Sequence, residues 1–208
     1  MTSGNTIDTR VLEWGVATLT LPGQSESGDQ YLVAPFPNGV LVAVIDGLGH
    51  GDEAAAAAKT ALAALERYAH EPVISTVRRC HEGLWGTRGA VISLAAFNTL
   101  DGTMTWLSVG NVEGMLLRAD PNARPAYEAL LLRGGVMGGQ LPLLSASIVP
   151  VMWGDTLILA TDGIRSDFPQ GLSLRDPPQQ IADGILARHA KGTDDALVLV
   201  ARYLGGGP

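Results

Sequence analysis

Residues 42–51 have the sequence VAVIDGLGHG, in which an apolar, β-branched run ends on Asp46 and a glycine-rich turn. LILATDGI at residues 157–164 repeats this arrangement, and GTDDALVLVA at residues 192–201 places an acidic pair directly before another apolar run. The apolar runs predict buried strands. Carboxylates at the ends of buried strands are held on rigid backbone at the rim of the core. If the three groups converge, their repulsion favours a cation between them, so the pattern predicts a hard-metal site.

Each acidic segment also has a simpler interpretation. Asp46-Gly47 and Asp162-Gly163, taken singly, are typical turn dipeptides. A turn gives no reason for both pairs, and Asp194 as well, to lie beside long buried strands. Their joint placement therefore favours metal binding over three unrelated turns.

Length and composition limit the class of protein. The 208 residues predict a single domain over 1–208, with flexible tails at about 1–8 and 205–208. An apolar fraction of 46% supports a sizeable core, and a net charge of −7 argues against a nucleic-acid partner. The single cysteine, Cys80, fits a reducing cytoplasm. We find no signal peptide and no apolar run long enough to span a bilayer, so we expect a cytoplasmic protein without a membrane partner.

Periodicity and turn residues predict an α+β fold in which two packed, mainly antiparallel sheets are flanked by helices. Hairpin-length connections predict a meander over residues 90–118 and a hairpin around Trp153-Gly154-Asp155. The predicted strands are 11–21, 30–34, 40–45, 90–98, 103–109, 114–118, 127–132, 145–152, 156–161 and 196–203, and the predicted helices are 53–69, 72–84 and 177–189.

Two glycine-rich stretches suggest further roles. Asp52 follows the turn of residues 47–51 and is a candidate N-cap for the first helix. His50 lies inside that turn, where it either hydrogen-bonds the turn or supports the metal site indirectly. The second stretch is a candidate mobile flap, formed by Gly134, Gly135, Gly138 and Gly139.

Other chemistries fit the sequence less well. The glycines of residues 47–51 run G-x-G-x-G, whereas a dinucleotide-binding turn requires G-x-G-x-x-G. Cys80 lies in a predicted helix, eight positions before Arg88, so it is a core residue and not the thiolate of a phosphate loop. No G-x-x-x-x-G-K-[ST] loop is present. The lack of clustered His and Cys disfavours zinc, whereas carboxylates, carbonyls and water suit Mg²⁺ or Mn²⁺.

Five segments in this order resemble the metal-dependent protein phosphatases of the protein phosphatase 2C superfamily. They are SGDQYLV (27–33), VAVIDGLGHG (42–51), SVGNVEG (108–114), LILATDGI (157–164) and GTDDALVLVA (192–201). The chain is most similar to the bacterial SpoIIE-like branch, and its length without a sensor module resembles the stressosome feedback phosphatases of the RsbX type. The resemblance implies an αββα sandwich with two Mn²⁺ or Mg²⁺ ions at one end.

In that family pattern Asp46 would bridge both ions and Gly47 would offer its carbonyl oxygen. Asp162 and Asp194 would complete the metal ligands. Asp29 would orient waters bound to the ions, and Asp195 would be a neighbour, also acting through water, whose role is the least defined. Apart from the family pattern, His50 is a further candidate to support the site through water. The implied reaction is in-line attack of an activated water on phosphorus, without a covalent phospho-enzyme.

The chain departs from the family pattern at three places. The residues directly before Asp29 include Ser25, Glu26 and Ser27 but no arginine. Arg10 is the only basic residue farther upstream, so the group that grips phosphate is unidentified. Asn111 stands where many relatives have an aspartate, which argues against a third metal. Leu197 replaces a usual threonine after the acidic pair.

The resemblance implies a phosphoserine/phosphothreonine phosphatase whose protein substrates are phosphorylated scaffold proteins of a bacterial stressosome. Two alternatives remain open on the sequence. One is a SpoIIE-like phosphatase that acts on phosphorylated anti-anti-sigma factors of another pathway. The other is a pseudophosphatase that binds phosphoproteins without turnover.

Overall fold

A computed structural model describes residues 11–169 and 171–205 of the chain. The predicted tail at 1–8, Arg10 and residues 206–208 of the predicted tail at 205–208 lie outside the described residues. The strands are β1 (Leu12–Leu19), β2 (Asp29–Phe36), β3 (Gly39–Gly47), β4 (Ala90–Asn98), β5 (Thr103–Val109), β6 (Glu113–Leu117), β7 (Tyr127–Ala129), β8 (Ser147–Pro150), β9 (Thr156–Ala160) and β10 (Ala196–Tyr203). The helices are α1 (Asp52–Arg67), α2 (Val73–Gly83) and α3 (Pro178–His189).

The strands form two five-stranded antiparallel sheets that pack face to face. One sheet has the order β1-β10-β9-β6-β7 and the other β2-β3-β4-β5-β8. Helices α1 and α2 cover the outer face of the second sheet, and α3 covers the outer face of the first. The predicted α+β sandwich is confirmed. Its flanking helices are unequal, however, with two on one side and α3 alone on the other among the described residues.

Strand β3 shows why an unbroken apolar run was needed at the centre of the fold. Val40, Val42 and Val44 face the other sheet, whereas Leu41 and Ile45 face the helices. Both faces of the strand are therefore buried, and polar alternation would leave polar groups in the core. Strand β10 has the same character in the other sheet, with its alternate residues facing either β-sheet or α3.

Two predicted connections are wrong in the same way. Strands β5 and β6 were expected to continue one meander, yet they belong to opposite sheets. Strands β8 and β9 were expected to form a hairpin, yet β8 pairs with β5 and β9 pairs with β6 and β10. Strands β1 and β2, joined by the turn at 22–29, also lie in different sheets. A short polar connection suits a sheet-to-sheet crossing as well as a hairpin, because both need only a tight change of direction.

The helices match the prediction to within one residue at their starts and two residues at their ends. Asp52 is the first residue of α1 and not its N-cap, which is Gly51 and has no side-chain hydrogen bond. Instead, Asp52 accepts a hydrogen bond from Ser25 Oγ at 3.1 Å. No helix within residues 11–169 and 171–205 has both the length and the apolar character required to traverse a bilayer.

Candidate metal centre

Strand ends from both sheets meet at one end of the sandwich. Asp29 begins β2 and is the register partner of Asp46 near the end of β3. In the other sheet, Asp162 follows β9 and Asp194 precedes β10, and these two strands are antiparallel neighbours. The topology therefore brings the carboxylates of all three acidic segments to the same end of the molecule.

A cleft of about 290 Å³ opens at this end. Asp46, Asp162 and Asp194 all line it, so the structure places the three aspartates around one space. The remaining lining residues are Leu21, Leu48, Gly49, His50, Val91, Asn111 and Thr193. Asp162 and Asp194 are exposed, whereas Asp46 is half-buried at the cleft floor. His50 is exposed at the rim.

A buried hydrogen bond joins the two sheets beneath the cleft. Thr161 Oγ1 donates to Oδ2 of Asp29 at 2.8 Å, and the same hydroxyl accepts from the backbone N–H of Leu197 at 2.9 Å. Both Asp29 and Thr161 are buried. The start of β2 is thereby fixed against the end of β9, which sets the position of the adjacent Asp162.

Asp195 anchors the loop between β1 and β2. Its Oδ1 accepts from the backbone N–H of Leu21 at 2.7 Å, and its Oδ2 accepts from that of Gly28 at 2.6 Å. Both oxygens of this buried carboxylate are therefore engaged by backbone donors. The contacts favour a structural task for Asp195 over the water-mediated one that was expected.

The exposed carboxylates at the cleft are also oriented. Asn111 donates through Nδ2 to Oδ2 of Asp162 at 2.8 Å, and Lys191 Nζ donates to the carbonyl oxygen of Asp162 at 2.5 Å. Oδ1 of Asp194 accepts from the backbone N–H of Asp195 at 2.9 Å. These contacts hold the two aspartates without burying them.

The glycines after Asp46 and Asp162 permit close packing against other backbone segments. A Cβ on Gly47 would lie 2.1 Å from the carbonyl oxygen of Ala54 in α1. A Cβ on Gly163 would lie 1.9 Å from the carbonyl oxygen of Asp195. Neither glycine has a positive φ. The turn interpretation is therefore wrong for Asp46-Gly47, which end β3, and confirmed for Asp162-Gly163. The latter pair is the centre of a turn in which the backbone N–H of Ile164 donates to the carbonyl oxygen of Thr161 at 3.0 Å. At both places the glycine lets another backbone approach the acidic strand end.

The pKa values of Asp29 and Asp46 show that burial and mutual repulsion disfavour their charged forms. Burial, followed by the negative charge of Asp46, raises the pKa of Asp29 to about 8, although the hydrogen bond from Thr161 opposes the shift. Burial, followed by the charges of Asp162 and Asp194, raises the pKa of Asp46 to about 7. A divalent cation would relieve this repulsion and favour the charged form of both carboxyls.

The ligand set fits hard cations. The cleft offers carboxylates, an amide and backbone carbonyls, which suit Mg²⁺ or Mn²⁺ better than zinc. Over the described ranges, no three His, Cys, Asp or Glu side chains stand in a geometry that could hold a metal ion. An ion bound here would therefore need carbonyl oxygens, water or rotation of the exposed Asp162 and Asp194 to complete its shell. Magnesium commonly keeps several waters in protein sites.

The candidate flap of Gly134, Gly135, Gly138 and Gly139 is pinned at its centre. Met137, within this segment, is buried and exchanges both backbone hydrogen bonds with Ala90. A Cβ on Gly138 would lie 2.6 Å from the carbonyl oxygen of Leu84, so this glycine packs against the end of α2. The segment lies beside the cleft and does not line it. Gating by these glycines stays a prediction.

Cys80 is confirmed as a core residue. It is fully buried in the cluster beneath α1 and α2, and burial raises the pKa of its thiol to about 12. A thiol with such a pKa is not a nucleophile at neutral pH. A cysteine-dependent phosphatase mechanism is therefore excluded.

Several contacts at the cleft were not predicted from sequence. Thr161 directly precedes Asp162, and strand alternation would have placed it on the inward face. The bond of Asn111 to Asp162 and that of Lys191 to the same loop join distant segments, and no local pattern indicates them.

Comparison with known proteins places this architecture in a family. The family model "Stage II sporulation protein E (SpoIIE)" matches residues 37–204. Phosphoserine phosphatase RsbX of Bacillus subtilis (strain 168) is 29% identical over 166 residues, which cover 77% of this chain and 81% of that protein.

Two solved structures are also similar. One is described as the bacterial stressosome, a modular system that has been adapted to control secondary messenger signaling. A chain of it has a TM-score of 0.83 and 30% identity, over 92% of this chain and 99% of that chain. The structure of RsbX in complex with magnesium has a TM-score of 0.82 and 25% identity, over 93% and 96% of the two chains.

The family match extends from before β3 through β10 and includes Asp46, Asp162 and Asp194. The structural matches cover 92% and 93% of this chain, which is more than residues 37–208, so they extend into the region before β3. The chain therefore belongs to the SpoIIE family of protein phosphatase 2C-type phosphatases.

Proposed function

We propose that this chain is a Mg²⁺- or Mn²⁺-dependent phosphoserine/phosphothreonine protein phosphatase that acts on phosphorylated proteins of a bacterial stressosome. The observation that supports it most is the convergence of Asp46, Asp162 and Asp194 on one cleft from both sheets. The similarity to phosphoserine phosphatase RsbX, and to a chain of a stressosome structure, supports the substrate class.

The chain's residues divide the work of building the site. Asp46, Asp162, Asp194 and the carbonyl oxygen of Gly47 are the proposed metal ligands. Asp29 is held by Thr161 and is the register partner of Asp46, and it is the proposed acceptor of a hydrogen bond from a water bound to the metal. Divalent ions bound here would lower the pKa of a water and stabilise the charge that develops on the phosphoryl oxygens.

The reaction requires no nucleophilic side chain. The fully buried Cys80 lies outside the cleft. The lining includes the hydroxyl of Thr193 and the carboxylates that we propose as metal ligands. We favour direct attack of water on phosphorus, with the alcohol of serine or threonine as leaving group, because bound ions would occupy the carboxylates that could otherwise form a phospho-enzyme.

The direct test is release of phosphate from an aryl phosphate and from phosphoserine peptides, with Mn²⁺ and with excess chelator. Asp46→Ala should lower kcat/KM by about 100-fold or more, because metal stabilisation of the transition state is worth several kcal/mol. Asp183→Ala is the matched control, since Asp183 is an exposed aspartate on α3. Hydrolysis that persists in Asp46→Ala and in chelator would contradict the proposal.

The substrate is tested separately. Phosphorylated stressosome scaffold proteins should be dephosphorylated faster than phosphorylated anti-anti-sigma factors at equal concentration. The reverse order would move the protein to another pathway. Binding of phosphoproteins by the Mn²⁺-loaded wild type without turnover would instead identify a pseudophosphatase.

A further inference from the structure

The cleft carries negative charge where its proposed substrate is also negative. Asp46, Asp162 and Asp194 line it, and a phosphomonoester carries a charge of about −1.5 to −2 at pH 7. Cationic side chains at the rim would help to hold the substrate's phosphoryl oxygens. Arg88 and Lys191 both contact residues that line the cleft.

The guanidinium of Arg88 lies flat against the glycine turn. A Cβ on Gly49 would be 3.3 Å from each of Cζ, Nε and Nη2 of Arg88, so the guanidinium plane faces this glycine. Gly49 lines the cleft, and its φ of 93° is a conformation that glycine adopts easily. The backbone N–H of Leu48 donates to the carbonyl oxygen of Gly89, which fixes the segment of Arg88 beside the turn.

The present partner of Arg88 is replaceable. Arg88 Nη1 donates to Oε2 of Glu53 at 2.6 Å, and the two side chains are 53% and 72% exposed. An ion pair with this exposure contributes little stability. Arg88 also borders a second concavity of about 390 Å³ with Ala56, Ala57 and Thr60, so an incoming chain can reach the guanidinium.

Lys191 has a different task. Its Nζ is bonded to the carbonyl oxygen of Asp162, and its backbone N–H donates to the carbonyl oxygen of Gly163 at 2.8 Å. Both contacts hold the loop that carries Asp162. A guanidinium also binds phosphate through two parallel N–H donors, which an ammonium cannot match.

We propose that Arg88 binds the phosphoryl group of the substrate, exchanging Glu53 for the phosphoryl oxygens when substrate enters. This assignment depends on the proposed phosphatase function. It supplies the phosphate-gripping residue from the turn before β4, a part of the chain distant from the segment that precedes Asp29.

The test compares Arg88→Ala and Arg88→Lys with the wild type. The two readouts are affinity of the Mg²⁺-loaded protein for inorganic phosphate, measured by calorimetry, and kcat and KM on a phosphoserine peptide. Arg79→Ala is the matched control, because Arg79 is an exposed arginine of α2 that pairs with the partly buried Glu71 away from the cleft. Affinity for Mg²⁺ and the melting temperature of each variant are measured alongside.

Arg88→Ala should weaken phosphate binding and lower kcat/KM by about 10- to 100-fold, the range of a charge-assisted hydrogen bond. Arg88→Lys should restore part of the affinity, and Arg79→Ala should match the wild type. Unchanged phosphate affinity in Arg88→Ala, or a loss of Mg²⁺ binding in that variant, would overturn the assignment. If the wild type binds phosphate through Arg88 but hydrolyses nothing, the proposed function fails while the assignment survives.

Discussion

At the scale of single residues, two adjacent aspartates have opposite environments. Asp195 is buried and accepts from two backbone N–H groups, whereas Asp194 is exposed and lines the cleft. A buried carboxylate with two such donors contributes to stability, since its removal leaves both donors without an acceptor. An exposed carboxylate at the cleft is free to take a metal ion. We therefore expect the two adjacent positions to have separate tasks, Asp195 in folding and Asp194 in metal binding.

Substitution of each aspartate should show this division. Asp195→Ala should lower the free energy of unfolding by about 2–4 kcal/mol, because the N–H groups of Leu21 and Gly28 lose their charged acceptor. Asp194→Ala should change it by less than about 1 kcal/mol. The measurement is urea denaturation of the metal-free protein.

Mn²⁺ binding by calorimetry supplies the second half of this test. Asp194→Ala should weaken binding, because it removes a proposed ligand. Equal stability losses in the two variants, or unimpaired Mn²⁺ binding by Asp194→Ala, would show that the two carboxylates do not have separate tasks.

At the scale of elements, the site depends on how closely helices and loops approach the strand ends. Helix α1 begins five residues after β3 ends and returns against it, with the carbonyl oxygen of Ala54 in the space that a Cβ on Gly47 would occupy. The alanine-rich face of α1 permits this approach, because Ala57, Ala58 and Ala61 pack against the sheet with small side chains. The helix thereby fixes the carbonyl group proposed as a metal ligand.

Gly47→Ala should therefore destabilise the protein by about 1–3 kcal/mol through overpacking between β3 and α1. Gly134→Ala is the control, since no atom lies within 4 Å of its Cβ position and its φ is not positive. That variant should stay within about 0.5 kcal/mol of the wild type. Thermal and urea denaturation measure both, and similar stability of the two variants would contradict the packing argument.

Most elements could be predicted from sequence because their patterns are local. The bounds of β4, β5 and β10 agree with the prediction, since each is a long apolar run between clear turn residues. The sheet in which a strand lies is not local. The connection through Gly110 and Asn111 has the length of a hairpin, yet it carries the chain from β5 to the opposite sheet.

For the candidate site, as for the fold, the local features could be predicted from sequence and the long-range contacts could not. Strand-end aspartates are visible in sequence, and the structure gathers Asp46, Asp162 and Asp194 around one cleft. The environment of Asp195 was not predictable, because its partners Leu21 and Gly28 are more than 160 residues away. Nor was the position of Arg88 beside Gly49, which follows from the pairing of β3 with β4.

At the scale of the whole molecule, the cleft joins two sheets whose strand ends repel each other. Thr161 ties Asp29 across the interface, but the carboxylates still come from both sheets. An ion that binds them all would bind the folded state and not the unfolded chain. Such binding adds about 2.7 kcal/mol to stability at a free ion concentration 100 times the dissociation constant.

The pH dependence of stability follows from the raised pKa values of Asp29 and Asp46. In the unfolded chain an aspartate titrates near pH 4, whereas these two titrate at about 8 and about 7 in the metal-free fold. Between these limits the folded state binds more protons than the unfolded state, so the free energy of unfolding falls as pH rises. The stability that these bound protons contribute is fully lost only at a pH above both folded pKa values.

The metal-free wild type should accordingly melt at a lower temperature at pH 8 than at pH 6. Asp46→Asn should make the melting temperature less dependent on pH. It removes one titrating carboxyl group, and it removes the negative charge that raises the pKa of Asp29. Mn²⁺ competes with protons for the same oxygens, so the rise in melting temperature that it causes should be larger at pH 8. Differential scanning calorimetry gives the melting temperatures of both proteins at pH 6 and pH 8, with Mn²⁺ and with chelator. Titration of the other ionisable groups affects both proteins equally, so it cancels when their pH dependences are compared. A wild-type slope that is parallel to that of Asp46→Asn, together with an Mn²⁺ effect of equal size at both pH values, would mean that the strand-end carboxylates do not share one electrostatic site.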